Sequence, residues 1–371
     1  MRLRKKKSDP TSSFTDYIFS PCESQDRTSK IMKNWKLLLV PLLLFLSLLF
    51  LRTPSPNFRA GPAIESSLSS ICNRNSYPPQ WQLRSDQLTV LISGFSESRL
   101  HLLQNITRSY SSFPCVHSVF ILWGNYSTPP TVLQTLNLES LGAPIYVLKN
   151  PSSSLNHRFL PRDFISTRAV LVCDDDVEIQ DSASLTFALR LWSQHGGKRI
   201  VGFFARSHGF DLETRAWMYT VFPDRYSIIL TKLMIVGTEF LYLYTCHSPK
   251  GVKEFVDNAR NCEDIAMNFV VADRTRAGPV LVEGNPRDWG DTRNSEGGLV
   301  VDAALSSLED HRKRRGGCIT EFHKLWGRMP LRYSYGVVGN RVHEQGLCEK
   351  LGVLVPCDRD ANLNTSSNQR T

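Results

Sequence analysis

The stretch "VLVCDDDVEIQ", Val170 to Gln180, sets three consecutive acids directly behind an apolar run, and its reading decides the fold. Val170 to Cys173 has no charged side chain, the pattern of a strand buried on both faces. Asp174, Asp175 and Asp176 then fall at its carboxyl end, where open α/β sheets collect their ligands. Outward from this point, "LTVLIS" (Leu88–Ser93), "VHSVFILW" (Val116–Trp123), "PIYVLK" (Pro144–Lys149) and "RIVGFF" (Arg199–Phe204) read as further strands. Between them, "SRLHLLQNITRSYSSF" and "DSASLTFALRLWSQHGG" have helical spacing. The second is expected to start on Asp181 or Ser182 as N-cap, bury Leu185, Ala188, Leu189 and Trp192, and stop at Gly196. Strands alternating with amphipathic helices predict an α/β domain with a mostly parallel sheet. Beyond Gly202 the pattern loosens into an α+β half, read as the acceptor side.

Three adjacent carboxylates repel one another, and a crevice that desolvates them makes this costly. A divalent cation relieves the repulsion, and hard oxygen ligands select Mg2+ or Mn2+ with positions left for phosphate oxygens. Asp174 and Asp176 form a D-x-D, and residues two apart on an extended chain share a face. An acidic cap in solvent is the plainer reading of the same residues.

Two other stretches carry chemistry. In "NCEDIAMNF" (Asn261–Phe269), Glu263 and Asp264 suit the start of a helix through its dipole, and Asp264 is equally a candidate catalytic carboxylate. The basic run in "HRKRRGGCITEF" (His311–Phe322) is a solvated face, a lipid contact, or a source of arginines for a diphosphate. It follows the polar stretch "NPRDWGDTRNSEGG", which is expected to be flexible enough to close over a site.

The 371 residues bury one large core or two modest ones. The net charge of +9 gathers at "MRLRKKK" and around Arg314, which is no basic face and argues against nucleic-acid binding. "LLLVPLLLFLSLLFL", Leu37 to Leu51, is uncharged and spans about 22 Å as a helix, a short membrane anchor. Basic residues precede it, so the positive-inside rule predicts a single-pass type II protein, with residues 1–36 a cytosolic tail and 37–52 the anchor. A stem over 53–84, a lumenal domain over 85–360 and a disordered tail over 361–371 follow. A cleaved signal peptide is the competing reading. Eight of the nine cysteines then lie in an oxidising lumen, and none forms a paired C-x-x-C zinc site. Sequons stand at Asn105, Asn125 and Asn364.

"AVLVCDDDVEI", "NCEDIAMNFVVAD" and "GGCITEFHKLWGRMPLRYS" resemble successive motifs of glycosyltransferase family 64, the exostosin C-terminal domain, over roughly Gln87 to Val338. The resemblance implies a GT-A fold, a nucleotide-sugar donor held with Mn2+, and transfer with retention. It makes Asp176 the metal ligand, puts Asp174 and Asp175 near ribose and diphosphate, and makes Asp264 the catalytic acid and Arg315 a diphosphate contact. It sets Arg99, Asn125 and Arg158 where the family reads the nucleotide, which argues against a glycan on Asn125 and leaves Asn105 as the expected one. It also implies a Cys262–Cys318 disulfide that staples Asp264 to the loop carrying Arg315.

The short length, with "GFSESR", "RSHGFDL" and "DWGD", resembles a plant subgroup of that family. The subgroup implies mannose transfer from GDP-mannose to glycosylinositol phosphorylceramide lipids at the Golgi membrane. A UDP-N-acetylhexosamine donor and an inactive carbohydrate-binding or adhesion module stay open as alternatives, as does a homodimer formed through the stem.

Overall fold

Four of the expected strands form and lie side by side, because each is apolar on both faces: β1 (Arg84–Gly94), β2 (Val116–Trp123), β3 (Ile145–Lys149) and β4 (Thr167–Asp174). β1 pairs in parallel with β2 on one side and β4 on the other, and β3 joins β2. Further along the chain come β5 (Val177–Ile179), β6 (Val201–Gly202), β7 (Ala205–Asp211), β8 (Ala216–Thr220), β9 (Arg225–Tyr226), β10 (Ile228–Ile229), β11 (Leu233–Gly237), β12 (Val280–Leu281) and β13 (Pro286–Asp288). The central sheet runs β12-β6-β11-β4-β1-β2-β3, with β11 antiparallel to both of its neighbours. A mixed α/β sheet dominated by parallel pairs is therefore present. The chain winds from β1 toward β3 and then returns to β4 on the other side of β1, which makes the β1/β4 carboxyl ends a switch point.

The computed structural model describes residues 68–290, 311–339, 347–350 and 353–356, all within the unit Pro56–Thr371. The basic tail, the apolar segment Leu37–Leu51, the Asn364 sequon and the tail over 361–371 lie outside the described residues. Among those described, no helix is long and apolar enough to cross a membrane.

Six helices matter to the site: α1 (Leu100–Ser111), α2 (Ser182–Gln194), α3 (Thr238–His247), α4 (Val252–Ala259), α5 (Glu263–Thr275) and α6 (His311–Trp326). Alternation along the strands sends Val90, Ile92 and Leu171 to one face, where Leu103 and Ile106 of α1 and Leu185, Ala188 and Trp192 of α2 cover them. Leu91, Val170 and Val172 point to the other face and meet α3, α4, α5 and α6. The expected cap of α2 forms, with Asp181 accepting from the Ser184 amide at 2.7 Å. The chain then turns through left-handed Gly196 and Gly197.

"RIVGFF" departs from its expected strand. Only Val201 and Gly202 pair in the central sheet, and the residues beyond them pair with β10 instead, Ala205 with Ile229 and Arg206 with Ile228. Gly202 itself admits no side chain, since a Cβ there would meet Ile229 and the Leu233 carbonyl. The chain peels away beyond Gly202 into a second sheet, β10-β7-β8. The end of the segment read as stem is also tied down: Cys72 is bridged to Cys246 of α3, and the Tyr242 hydroxyl donates to the Cys72 carbonyl at 2.9 Å.

Candidate active site

Local backbone geometry separates the three acids. Asp174 ends β4, whereas Asp175 and Asp176 form the turn into β5. The D-x-D therefore does not share one extended face as expected: the turn sends its acids to different arginines. Arg99, closing the helical turn that follows β1, places one Nη1 2.9 Å from Asp175 and 2.9 Å from Asp176. Asp175 also accepts the Phe95 amide at 3.2 Å. Arg158, on the turn Leu155–Phe159, reaches Asp174 at 3.1 Å.

The same Arg158 guanidinium lies 3.1 Å from Glu263, so a single buried cation joins the strand-end acids to the start of α5. The first ten residues of α5, Glu263 to Ala272, are all buried. Cys262, the residue before them, has φ +75°, a left-handed conformation that a non-glycine residue adopts at a cost of about 1–3 kcal/mol. Its disulfide to Cys318 of α6 is formed and fixes it from the other side. Asp264 is held by the Ile265 amide at 2.8 Å and by Arg315 at 2.5 Å. Arg315 also donates to Asn261 at 2.9 Å and stands 4.5 Å over the Tyr219 ring of β8. "HRKRRGG" is thus the first half of a helix, and Arg315 sits on that helix and not on a loop. Helical spacing turns Arg315, Cys318, Ile319 and Phe322 inward, while Arg312, Lys313 and Arg314 stay exposed.

Asn125 lies just past the carboxyl end of β2, half-buried, with its side chain accepting from the Ser127 amide and hydroxyl at 3.1 and 2.6 Å. It is beside the first turn after β1, through the 2.7 Å bond from the Gly124 amide to the Gly94 carbonyl. Asn105 is exposed on α1. Its sequon partner Thr107 is buried and donates to the Gln104 carbonyl.

Burial, then the charge of Asp174, pushes Asp176 up to about 7 against the pull of Arg99. Burial likewise raises Asp175 and Glu263, opposed by Arg99 and Arg158 respectively. Among the described residues no group of three or more His, Cys, Asp or Glu converges on one point. Asp175 and Asp176 are both buried, and both are already paired with Arg99. Gly290 packs directly against the second of these acids: a Cβ there would lie 2.6 Å from Asp176 Oδ2. Carboxylate oxygens such as these are hard donors, of the kind a divalent cation takes together with phosphate oxygens.

Sequence reasoning missed Tyr219, the cross-strand partner of His208, and the Lys232–Asp288 pair, whose lysine charge also reaches Asp176. Nothing in the local spacing marks either one. It treated Glu263 as a helix cap, while the structure gives it the buried Arg158 as partner.

The glycosyl transferase family 64 domain model matches residues 88–343. An Arabidopsis thaliana protein described as glycosyltransferase family protein 64 C3 is 54% identical over 300 residues, 78% of this chain and 91% of that protein. Mouse exostosin-2 is 30% identical over 273 residues, which are 73% of this chain and 36% of the exostosin. Bovine exostosin-1 is 36% identical over 192 residues, 52% of this chain and 25% of that protein. The matched region thus spans about a third or less of each exostosin.

Proposed function

This chain belongs to glycosyl transferase family 64 and is a glycosyltransferase, and on that premise we propose that it transfers a sugar with retention, in a Mn2+-dependent reaction, to a glycosylinositol phosphorylceramide headgroup. Mannose from GDP-mannose is the donor of this reading. The observation that carries it is the Arg158 bridge, which joins the Asp174 end of the acidic triplet to Glu263, next to Asp264. A donor-side motif and a candidate catalytic acid thereby belong to one buried network at the switch point.

Asp176 would hold the Mn2+, which when bound offsets the charge of the leaving diphosphate. Arg315 supplies a second positive charge beside Asp264, preorganised by Asn261 and Tyr219. Asp264, fixed by the Ile265 amide and by Arg315, presents a carboxylate of defined orientation to the sugar or to the acceptor hydroxyl. Its burial excludes bulk water, which would otherwise compete as acceptor. Arg99 holds Asp175 and Asp176 apart from bulk solvent at the mouth of β1. In this reading the chain is a type II Golgi membrane protein anchored by Leu37–Leu51, with the catalytic domain in the lumen.

The test is a donor panel on the full chain in detergent with Mn2+, comparing GDP-mannose with UDP-sugars by released nucleotide. Turnover of GDP-mannose is expected. Turnover of UDP-N-acetylglucosamine in its place overturns the donor, and no turnover of either overturns the reaction.

A further inference from the structure

Arg206 stands on β7 with its backbone paired to Ile228. In the β7/β8 hairpin His208 is opposite Tyr219, so period-two alternation puts Arg206, His208 and Tyr219 on one face. That face is the one Arg315 covers, 4.5 Å above the Tyr219 ring. Arg206 and Arg315 therefore lie on the Tyr219 side of the hairpin, and the charge of each reaches the Tyr219 hydroxyl; this is the half of the chain read from the sequence as the acceptor side.

Their circumstances differ. Arg315 is ion-paired with Asp264 and donates to Asn261. Arg206 is half-buried and donates to its neighbour's carbonyl, Ala205, at 2.7 Å. Among the described residues it has no carboxylate within ion-pair distance. The local charge is in surplus: burial first, then Arg315, Arg206 and Arg314, push His311 below the usual imidazole range, with Asp264 alone pulling it up. A partly desolvated guanidinium without a counter-charge is costly to maintain unless an anion completes it. Its planar fork suits a phosphate.

We propose that Arg206 is a phosphate-binding residue of the acceptor-side wall, taking a phosphate oxygen beside Tyr219 while Arg315 remains committed to Asp264. This deepens the proposed glycolipid acceptor and rests on it for the identity of the ligand. The same chemistry has two sources here, the phosphodiester of the lipid headgroup and the diphosphate of the donor.

The experiment measures binding of myo-inositol 1-phosphate, myo-inositol and GDP with Mn2+ to the full chain in detergent, for the wild type, Arg206→Gln and Arg206→Lys, together with thermal melting. Loss of one charge-assisted contact is expected to weaken a phosphate ligand about tenfold or more in Arg206→Gln, with partial recovery in Arg206→Lys. If inositol phosphate is weakened and GDP is not, the phosphate is the acceptor's. If GDP alone is weakened, it is the donor's. Equal affinities of wild type and Arg206→Gln for both phosphates overturn the proposal, as does a loss accompanied by a lowered melting temperature in both variants. Wild-type protein that binds neither phosphate overturns it too. A wild type that binds inositol phosphate yet glycosylates no inositol lipid refutes the acceptor reading and leaves Arg206 as a phosphate ligand.

Discussion

The Arg315 guanidinium closes on the Asp264 carboxylate at 2.5 Å, and each residue lies within three positions of one end of the Cys262–Cys318 cross-link. Acid and arginine come from helices α5 and α6, so a covalent bond beside each fixes their mutual position. That arrangement preorganises the site before substrate arrives.

Asp264→Asn keeps an oxygen for Arg315 and removes the negative charge. Transfer is expected to fall by about a hundredfold or more with a cooperative melt retained, read by nucleotide release and by circular dichroism. Near-normal turnover in the folded variant would remove Asp264 from the chemistry.

Replacing Cys262 and Cys318 together by serine frees a loop of sequence separation 56. The chain-entropy estimate for such a loop is about 4 kcal/mol, measurable by denaturant titration. Activity is expected to fall further than the folded fraction does, since the left-handed Cys262 also loses its restraint. Equal losses would mean that the bridge serves stability alone.

Arg158→Met leaves the buried Glu263 and the half-buried Asp174 without their shared cation. Breaking a buried pair in this way costs about 3–5 kcal/mol, and Arg158→Lys, with one compact charge, should recover only part of it. A double variant that also replaces Glu263 by Gln should lose less than the sum of the singles. Strict additivity in a thermal or urea series would argue that the bridge contributes nothing.

His208 contributes one component of the pH dependence of stability, opposite in sign to that of the raised Asp176. Burial first, with Arg332 and Arg225, holds its imidazole down to about 4, while an unfolded histidine titrates at about 6.5. Between those values the unfolded chain binds a proton that the folded chain refuses. Stability from this group is therefore full above pH about 6.5 and declines toward pH about 4, by up to about 3 kcal/mol. Urea melts at stepped pH should show the stability difference between wild type and His208→Gln shifting against the wild type as pH falls from about 6.5 to about 4. A difference that does not change with pH would remove His208 from the linkage.

Manganese should raise the melting temperature in the presence of GDP, because a ligand that binds only the folded state stabilises it. Asp176→Ala should abolish that rise. An undiminished shift in the variant would move the cation elsewhere.

Much of the fold was legible in the strands. β2 and β3 lie where apolar runs begin and end, and the Asp181 cap forms because an acid precedes a periodic segment whose amides need an acceptor. "RIVGFF" was not legible as a two-residue strand, since the chain beyond Gly202 leaves the sheet to pair with Ile228 and Ile229, which local composition does not show. The basic run at Arg315 read as a solvated face, a lipid contact or a source of diphosphate-binding arginines and not as a helix, because four consecutive basic residues hide the helical spacing that buries the fourth.

The sequence by itself determined the chemistry on offer: three acids after a buried strand, an acid two residues from a cysteine, an arginine three residues from another. Local composition fixes such features, because apolar periodicity and residue type do not depend on what lies opposite. Only the tertiary structure decided the partners. Arg99 took Asp175 and Asp176, Arg158 spanned Asp174 and Glu263, and Arg206 was set beside Tyr219 with no acid of its own among the described residues. Those pairings depend on charges from segments distant in sequence meeting in one low-dielectric crevice, where their attraction is stronger than in water and no spacing along the chain encodes which charges meet.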